Sequence, residues 1–545
     1  MEALMRAVRT RDVACPAFFS IAFALSFGLG YRLDGMRWWD VIAYVCSYSL
    51  IFFVVVRGLM AFLRNRPLPL SFARAGGGRF WAVSFAVLLI CYVLCLLMNW
   101  PGILTEDSLS SIRQALGLEE WSNWHPFAFT ALVAPFVLAG SAWGDVAVGV
   151  GLYSAFQLTL CAAVLSYVCR WLHARGAKRA ALAALAFFAL NPIIARYSIT
   201  MWKDIPFSMA MVLYVLALFD VVLAYRFSFD REGGEAETTA GCLSRSSRVI
   251  LVASSLAVCL LRSNGIYVAI AVAAVLLALY WRRLSAWMRA GVAAAPIVAL
   301  LVVTPLYGAL GVKSAPFQET VGIPLQQLGA VAAEEGDMSE GSAASVGNVI
   351  PLDVLADVYD PDSVNLIKYD NSFKGDWLDA HKGEFFVAWL DVGFDNPVLY
   401  VRAWLEGARG FWNVDDYGWM TSERGYRGEG GRNLLYEATG LAVFDAPNDD
   451  FDALRQSIFY PMFNIASWAW LVLFAIVCSV RFRAFRLALP MLPLALLWAT
   501  MMVAAPVSWE PRYLFSLHIL LPVVVVFVFW VAGGSTKERL SAPSL

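Results

Sequence analysis

Charge is what this chain of 545 residues has least of: 15% of its residues are Asp, Glu, Lys or Arg, against 60% hydrophobic. Soluble domains carry about 25% charged and 45–50% apolar residues. A chain so poor in polar groups cannot cover its own surface in water, so a soluble protein is excluded and a polytopic all-α membrane protein is expected. The mean hydropathy of +0.64 agrees. Cysteine is missing from residues 310–457. The nine cysteines stand at 15, 46, 91, 95, 161, 169, 242, 259 and 478, which leaves that segment no disulfide framework and no zinc cluster. Charges are almost absent from the centres of the apolar runs, which argues against an ion-coupled transporter, whose site needs ionisable groups or broken helices near the midplane. Internal repeats and long low-complexity tracts are lacking too.

What is there is a series of apolar runs. Those near 13–31, 40–57, 80–98, 146–169, 178–195, 205–225, 249–261, 265–281, 290–309, 458–480, 487–505 and 513–533 give about twelve spans. The basic N-terminus followed by an apolar run has the outline of a signal peptide, but the many spans behind it point to an uncleaved first helix. The connections Arg57 to Arg79, Arg170 to Arg179, Arg282 to Arg289 and Arg481 to Arg486 are basic. By the positive-inside rule they belong in the cytoplasm, together with both termini. Residues 126–140 resist this scheme. At about 1.5 Å per residue they reach some 22 Å of a roughly 30 Å core, and crossing would invert every later basic loop. They are expected to lie in, or dip into, the outer leaflet of the cell membrane.

Three parts follow. Residues 1–309 form a transmembrane module whose first outer loop, 99–145, carries juxtamembrane helices. Residues 310–457, with 25 acidic against 10 basic residues, read as an acidic extracytoplasmic domain of mixed structure. Residues 458–545 supply the last transmembrane helices and a short cytoplasmic tail.

The unusual polar residues stand where spans meet the outer surface. In TEDSLSSIRQALG, Thr105 is placed to N-cap a short helix and Gly117 to end it. Leu109, Ile112 and Leu116 make one apolar stripe, as on an interfacial helix. Glu106 and Asp107 then sit at its N-terminus, where helix-dipole complementarity alone gives a carboxylate about 0.5 kcal/mol. His125 precedes Pro126, which is suited to open the next helix. Asp204 is placed as the N-cap of a span, with Lys203 before it. Arg262 lies in one outer turn, and Glu510 and Arg512 in another. Dipole complementation, snorkelling and headgroup pairing explain each of these residues singly. Together they bring carboxylates and cations from four distant stretches to one membrane face. Transfer of a group from a lipid phosphate needs that mixture: cations for the phosphate and a carboxylate for the acceptor's proton.

At these residues the chain resembles the GT-C superfamily of membrane glycosyltransferases, which includes protein O-mannosyltransferases and aminoarabinose transferases. The likeness lies in an acidic pair after the first core span (Glu106, Asp107), a basic-Pro step (His125, Pro126), a span opening with Asp204 and Pro206, and a large outer domain later on. It covers roughly residues 80–310, and GIPLQQLGAV (322–331) and EPRYL (510–514) look like a bacterial branch of that superfamily. The resemblance implies that Asp107 is the base or an acceptor-site acid, with Asp204 and Glu106 beside it, and that His125 stands where related enzymes carry a Lys facing the donor phosphate. Related enzymes often place Glu just before that Lys. Here the residue is Trp124, so a divalent cation would lack that ligand and the metal requirement stays open. Asp360, Pro361 and Asp362 have Asp-x-Asp spacing but read as a surface turn.

Nucleotide sugars are made in the cytoplasm, so a site facing outward draws on a polyprenyl-phosphate sugar. Its apolar groove would lie beside 126–140. An inverting single displacement is expected, with Asp107 as base and Lys203, His125, Arg262 and Arg512 on the phosphate. The acceptor is a cell-envelope polysaccharide, lipid or protein selected by 310–457. Membrane lipids surround the chain and nucleic acid has no part. The rivals are a lipid-linked oligosaccharide flippase, which needs a polar path between the spans, and a surface-polysaccharide polymerase or ligase, which lacks the early acidic motif.

Overall fold

The computed structural model describes residues 2–66, 68–71, 76–230, 243–415, 464–482, 484–504 and 507–533, with backbone alone at 2–9, 106 and 227–230. Cys242, the stretch 416–463 and the tail beyond 533 lie outside the described residues. The long apolar runs become helices because a chain in lipid must satisfy its backbone polar groups within the segment. They are α1 (Glu2–Leu33), α2 (Trp38–Asn65), α3 (Gly78–Met98), α4 (Glu106–Ala115), α5 (Phe127–Ala142), α6 (Val146–Ala174), α7 (Lys178–Leu190), α8 (Pro192–Ser198), α9 (Asp204–Asp230), α10 (Arg245–Leu261), α11 (Gly265–Tyr280) and α12 (Ala286–Leu301). In the acidic segment follow α13 (Gly322–Ala333), α14 (Glu340–Val349), α15 (Lys382–Asp395) and α16 (Pro397–Gly407), with shorter helical turns between them. The chain closes with α17 (Ile465–Arg481), α18 (Leu492–Ala504) and α19 (Phe515–Gly533).

Among the described residues nine helices are long and apolar enough to cross a membrane: Thr10–Leu33, Trp38–Asn65, Gly78–Met98, Val146–Ala174, Asp204–Arg226, Gly265–Arg283, Ala286–Ala309, Phe485–Ala504 and Pro511–Gly533. α7 and α8 meet at 64° and make a tenth if taken as one span. Asn191 makes that corner: its Oδ1 accepts from the N–H groups of Ile193 and Ile194, capping α8, whose first residue is Pro192. The other two expected spans, α10 and α17, are helices of 17 residues each and fall just short. α9 is the pillar of the bundle, with 94% of its most apolar window buried.

The helix ends gather at two levels. At one, the basic connections meet: Ser71 N–H donates to the Arg175 carbonyl (3.0 Å), the Tyr280 hydroxyl to the Arg486 carbonyl (2.7 Å), and Arg481 pairs with Asp12 (2.5 Å). At the other, the acidic segment docks. Arg409 pairs with Asp34 (2.8 Å), Trp404 Nε1 donates to the Met502 carbonyl (2.7 Å), and Ser508 N–H donates to the Asp362 carbonyl (2.9 Å). That segment has its own core, built on Leu325, Leu328, Val331, Val349, Phe385 and Val392. Its described residues, 310–415, are helical and without strands, and the rest of the domain expected to be mixed, 416–457, lies outside the described residues. Its apolar residues recur at helical spacing, as at Leu325 and Leu328. The Asp360–Asp362 stretch is a turn, with Asp362 N–H donating to Asp360 Oδ1 (2.8 Å).

α5 lies along the first third of α6. Gly140 packs on Gly149 with no room for a side chain at either position, and the rings of Phe129 and Phe136 stand 6.0 and 5.8 Å from that of Tyr153. The apolar stripe of α4, expected to face lipid, is buried instead. Leu109 and Ile112 pack with Phe129, Val133, Val150 and Tyr153, because α5 and α6 offer α4 a protein surface to cover. An apolar cavity of about 550 Å³ opens between the stretch after α2, α7 and α19, edged by Arg66 and lined by Phe187, Leu521, Val525 and Phe529.

Candidate functional site

The loop entering α4 is clamped to the loop entering α9. Ile103 N–H donates to the Ile199 carbonyl and Met201 N–H to the Ile103 carbonyl, both at 3.0 Å. Thr105 caps α4 as expected, in a reciprocal box with Ser108: Thr105 N–H donates to Ser108 Oγ (3.0 Å). The box is itself tied across, Ser108 Oγ donating to the Met201 carbonyl (2.8 Å) and Trp202 Nε1 to Thr105 Oγ1 (2.7 Å). Gly117, with φ of +72°, stands just past the end of the helix. This clamp sets Asp107, on the first turn of α4, opposite Lys203, the residue before α9.

His125 arrives on a separate strap. Asn123 N–H donates to the Lys313 carbonyl (2.8 Å), Asn123 Oδ1 accepts from Phe127 N–H (2.9 Å), and Trp124 stacks on the His125 ring (5.6 Å, 11°). Arg512 comes from the helical turn Pro511–Leu514 that opens the last span, its guanidinium 4.7 Å over the Trp202 ring.

These stretches converge on Asp107. Its Oδ2 accepts from Arg512 Nη1 at 2.8 Å and from Lys203 Nζ at 3.1 Å, and its Oδ1 lies 3.8 Å from His125 Nε2. Lys203 Nζ also lies 2.8 Å from His125 Nδ1. An ammonium only donates, so Nδ1 accepts and the imidazole proton sits on Nε2, toward Asp107. The four side chains keep between 11% and 20% of their surface accessible, so a ligand can reach them. Beneath them lies a closed layer. Asp204 is fully buried, its Oδ1 3.0 Å from Arg262 Nη1, and Glu510 Oε1 lies 3.3 Å from Arg512 Nε. Arg262 also donates to the Tyr513 carbonyl (3.0 Å) and lies over the rings of Phe207 and Tyr513.

The expected residues are thus brought together, with differences. Asp204 is the first residue of its helix rather than the N-cap, since the Lys203 carbonyl accepts from Phe207 N–H (3.2 Å). Asp204 and Arg262 face each other and not Asp107, so they support the accessible layer from below. Glu106 opens α4, and its side chain lies outside the described residues. Sequence reasoning placed Glu510 at this face without giving it a role at the site, and left out Trp202. The signal for both was adjacency: Glu510 stands two residues before Arg512, and Trp202 directly before Lys203.

Burial alone would raise the Asp107 pKa, but Lys203, Arg512 and His125 outweigh it and hold the carboxyl well below its usual range. Burial and then the Lys203 charge push His125 down to about 4, against the pull of Asp107, so the imidazole is neutral at pH 7. No group of three or more His, Cys, Asp or Glu side chains suited to a metal ion occurs among the described residues. Asp107 and Asp204 are engaged by cations, and the described side chains do not fit a divalent metal.

A family of unknown function (DUF6020) matches residues 120–541, most of the chain. The chain belongs to the DUF6020 family. In this DUF6020 protein the matched stretch carries His125, Lys203, Asp204, Arg262, Glu510 and Arg512, while Glu106 and Asp107 lie ahead of it. No curated protein and no solved structure matches the chain.

Proposed function

We propose that this protein is a glycosyltransferase of GT-C layout that moves a sugar from a polyprenyl-phosphate donor to a cell-envelope acceptor at the outer face of the cell membrane. The observation that carries this is the convergence of Lys203, Arg512 and His125 on Asp107, from stretches up to 405 residues apart. In the reaction the acceptor hydroxyl attacks the anomeric carbon, the bond to the phosphate oxygen breaks, and polyprenyl phosphate leaves. Asp107 takes the hydroxyl proton, and Lys203, Arg512 and the Nε2–H of His125 stabilise the charge on the departing phosphate. Asp204, Arg262 and Glu510 hold these groups in place. The acidic helical domain beside the site selects the acceptor, and Tyr369 of that domain already packs against Trp124 (6.3 Å).

The topology proposed with it has twelve spans and both termini in the cytoplasm. α10 and α17 complete the count: each is about 25 Å long, and Arg262 after α10 and Asn464 before α17 lie at the docking level, Asn464 Nδ2 donating to the Val414 carbonyl (3.0 Å). A flippase finds less support. Asp220, a charge set within a span, is closed off by Arg175, Trp171 Nε1 (2.9 Å) and Ser247 Oγ (2.6 Å) at the basic level. The test uses proteoliposomes holding a panel of radiolabelled polyprenyl-phosphate hexoses, with envelope material outside. Release of polyprenyl phosphate together with labelled acceptor supports transfer. Movement of intact donor across the bilayer without release supports the flippase and overturns the proposal.

A further inference from the structure

We infer that Asp107 occupies the place of the donor's phosphate, so that the carboxylate and a lipid phosphate compete for Lys203 and Arg512. This rests on the glycosyl-transfer reading above and goes beyond it by stating what must yield when the donor arrives. One oxygen, Asp107 Oδ2, fills the point on which Lys203 Nζ (3.1 Å) and Arg512 Nη1 (2.8 Å) both converge. A phosphate oxygen asks for the same charge-assisted donors at about 2.7–2.9 Å.

Lys203 and Arg512, the two cations that would meet such a ligand, are each already paired with a carboxylate. Asp107, Asp204 and Glu510 face Lys203, Arg262 and Arg512, and with His125 neutral these six charges cancel. Arg262 is committed to Asp204 and to the Tyr513 carbonyl. An anion therefore gains a full partner only when one carboxylate gives way. Asp107 is the one able to do so: its side chain is 20% accessible, whereas those of Asp204 and Glu510 are at 0% and 2%. It also stands on a ten-residue helix outside the spans, while Asp204 belongs to the buried pillar α9. Displaced from its two cations, Asp107 becomes the better proton acceptor, so the base is readied by the donor and the donor binds before the acceptor.

The site then takes a phosphate ester carried by a lipid, and its signature is inverted from that of an ordinary ligand contact: deleting the carboxylate should tighten binding. The experiment measures undecaprenyl phosphate binding to the full chain in phosphatidylcholine nanodiscs, for wild type, Asp107→Asn and Lys203→Met. We expect Asp107→Asn to bind on the order of tenfold more tightly and Lys203→Met more weakly. Asp107→Ser carries the same arm should the Asn variant fold poorly. Unchanged or weaker binding by both Asp107 variants overturns the competition while leaving the donor assignment standing. Absence of binding by wild type and variants alike overturns the donor assignment itself. An equal gain toward inorganic phosphate makes the ligand a soluble anion and overturns the lipid assignment.

Discussion

At Asp107 two roles meet in one side chain. Its position at a helix N-terminus suggests a stabilisation of about 0.5 kcal/mol, but the structure gives it two charge-assisted hydrogen bonds from cations that are almost covered. Asp107→Asn should therefore cost about 2 kcal/mol of stability. A lost general base lowers the rate about 10²- to 10⁴-fold, so the rate per folded molecule, measured beside the melting temperature, separates the two losses. Transfer that survives in the folded variant places the base elsewhere. His125 adds a pH dependence. Unfolded, it takes up a proton near pH 6.5; folded, it does so near pH 4. Its contribution is whole above pH 6.5 and is lost as the pH falls toward 4, and Asp107 adds a further loss at still lower pH as its depressed pKa is approached. Melting temperatures should fall over that upper window, and His125→Gln should flatten the slope there; an unchanged slope would mean that folding leaves the His125 pKa where it is in the unfolded chain. Residue types and their place at span ends made these side chains readable. The pairing of Arg262 with Asp204 was not, because chain position does not say which way a side chain turns.

Among the elements, α4 shows both sides of legibility. Its bounds follow from Thr105 and Gly117, since caps are local chemistry. What its stripe covers depends on α5 and α6, so a pattern fit for lipid serves equally to bury Leu109 and Ile112 in protein. α5 is short at 16 residues, and its rings meet α6 no further along than Phe156. Spin labels at exposed positions such as Leu138 and Ser141 should report depths confined to one leaflet. A depth profile through the midplane would make α5 a span and invert the later loops.

Over the whole molecule, the basic connections foretold the meeting of Ser71, Arg175, Arg481 and Arg486 at one level, since charge bias acts on entire loops. The helical nature of the acidic domain was less visible, because its helices are short and separated by Gly-, Pro- and Asp-containing turns. A cysteine at exposed Ala344, on a cysteine-free background, should react with a membrane-impermeant reagent in intact cells. Labelling only after membrane disruption would put the site in the cytoplasm and remove the reason for a lipid-linked donor. The most direct measurement is a cryo-EM map of the full chain with undecaprenyl phosphate bound. The phosphate should lie within hydrogen-bonding distance of Lys203 and Arg512, with Asp107 moved off them; a phosphate bound away from both residues, for instance beside Arg66 at the basic level, would contradict the proposed site.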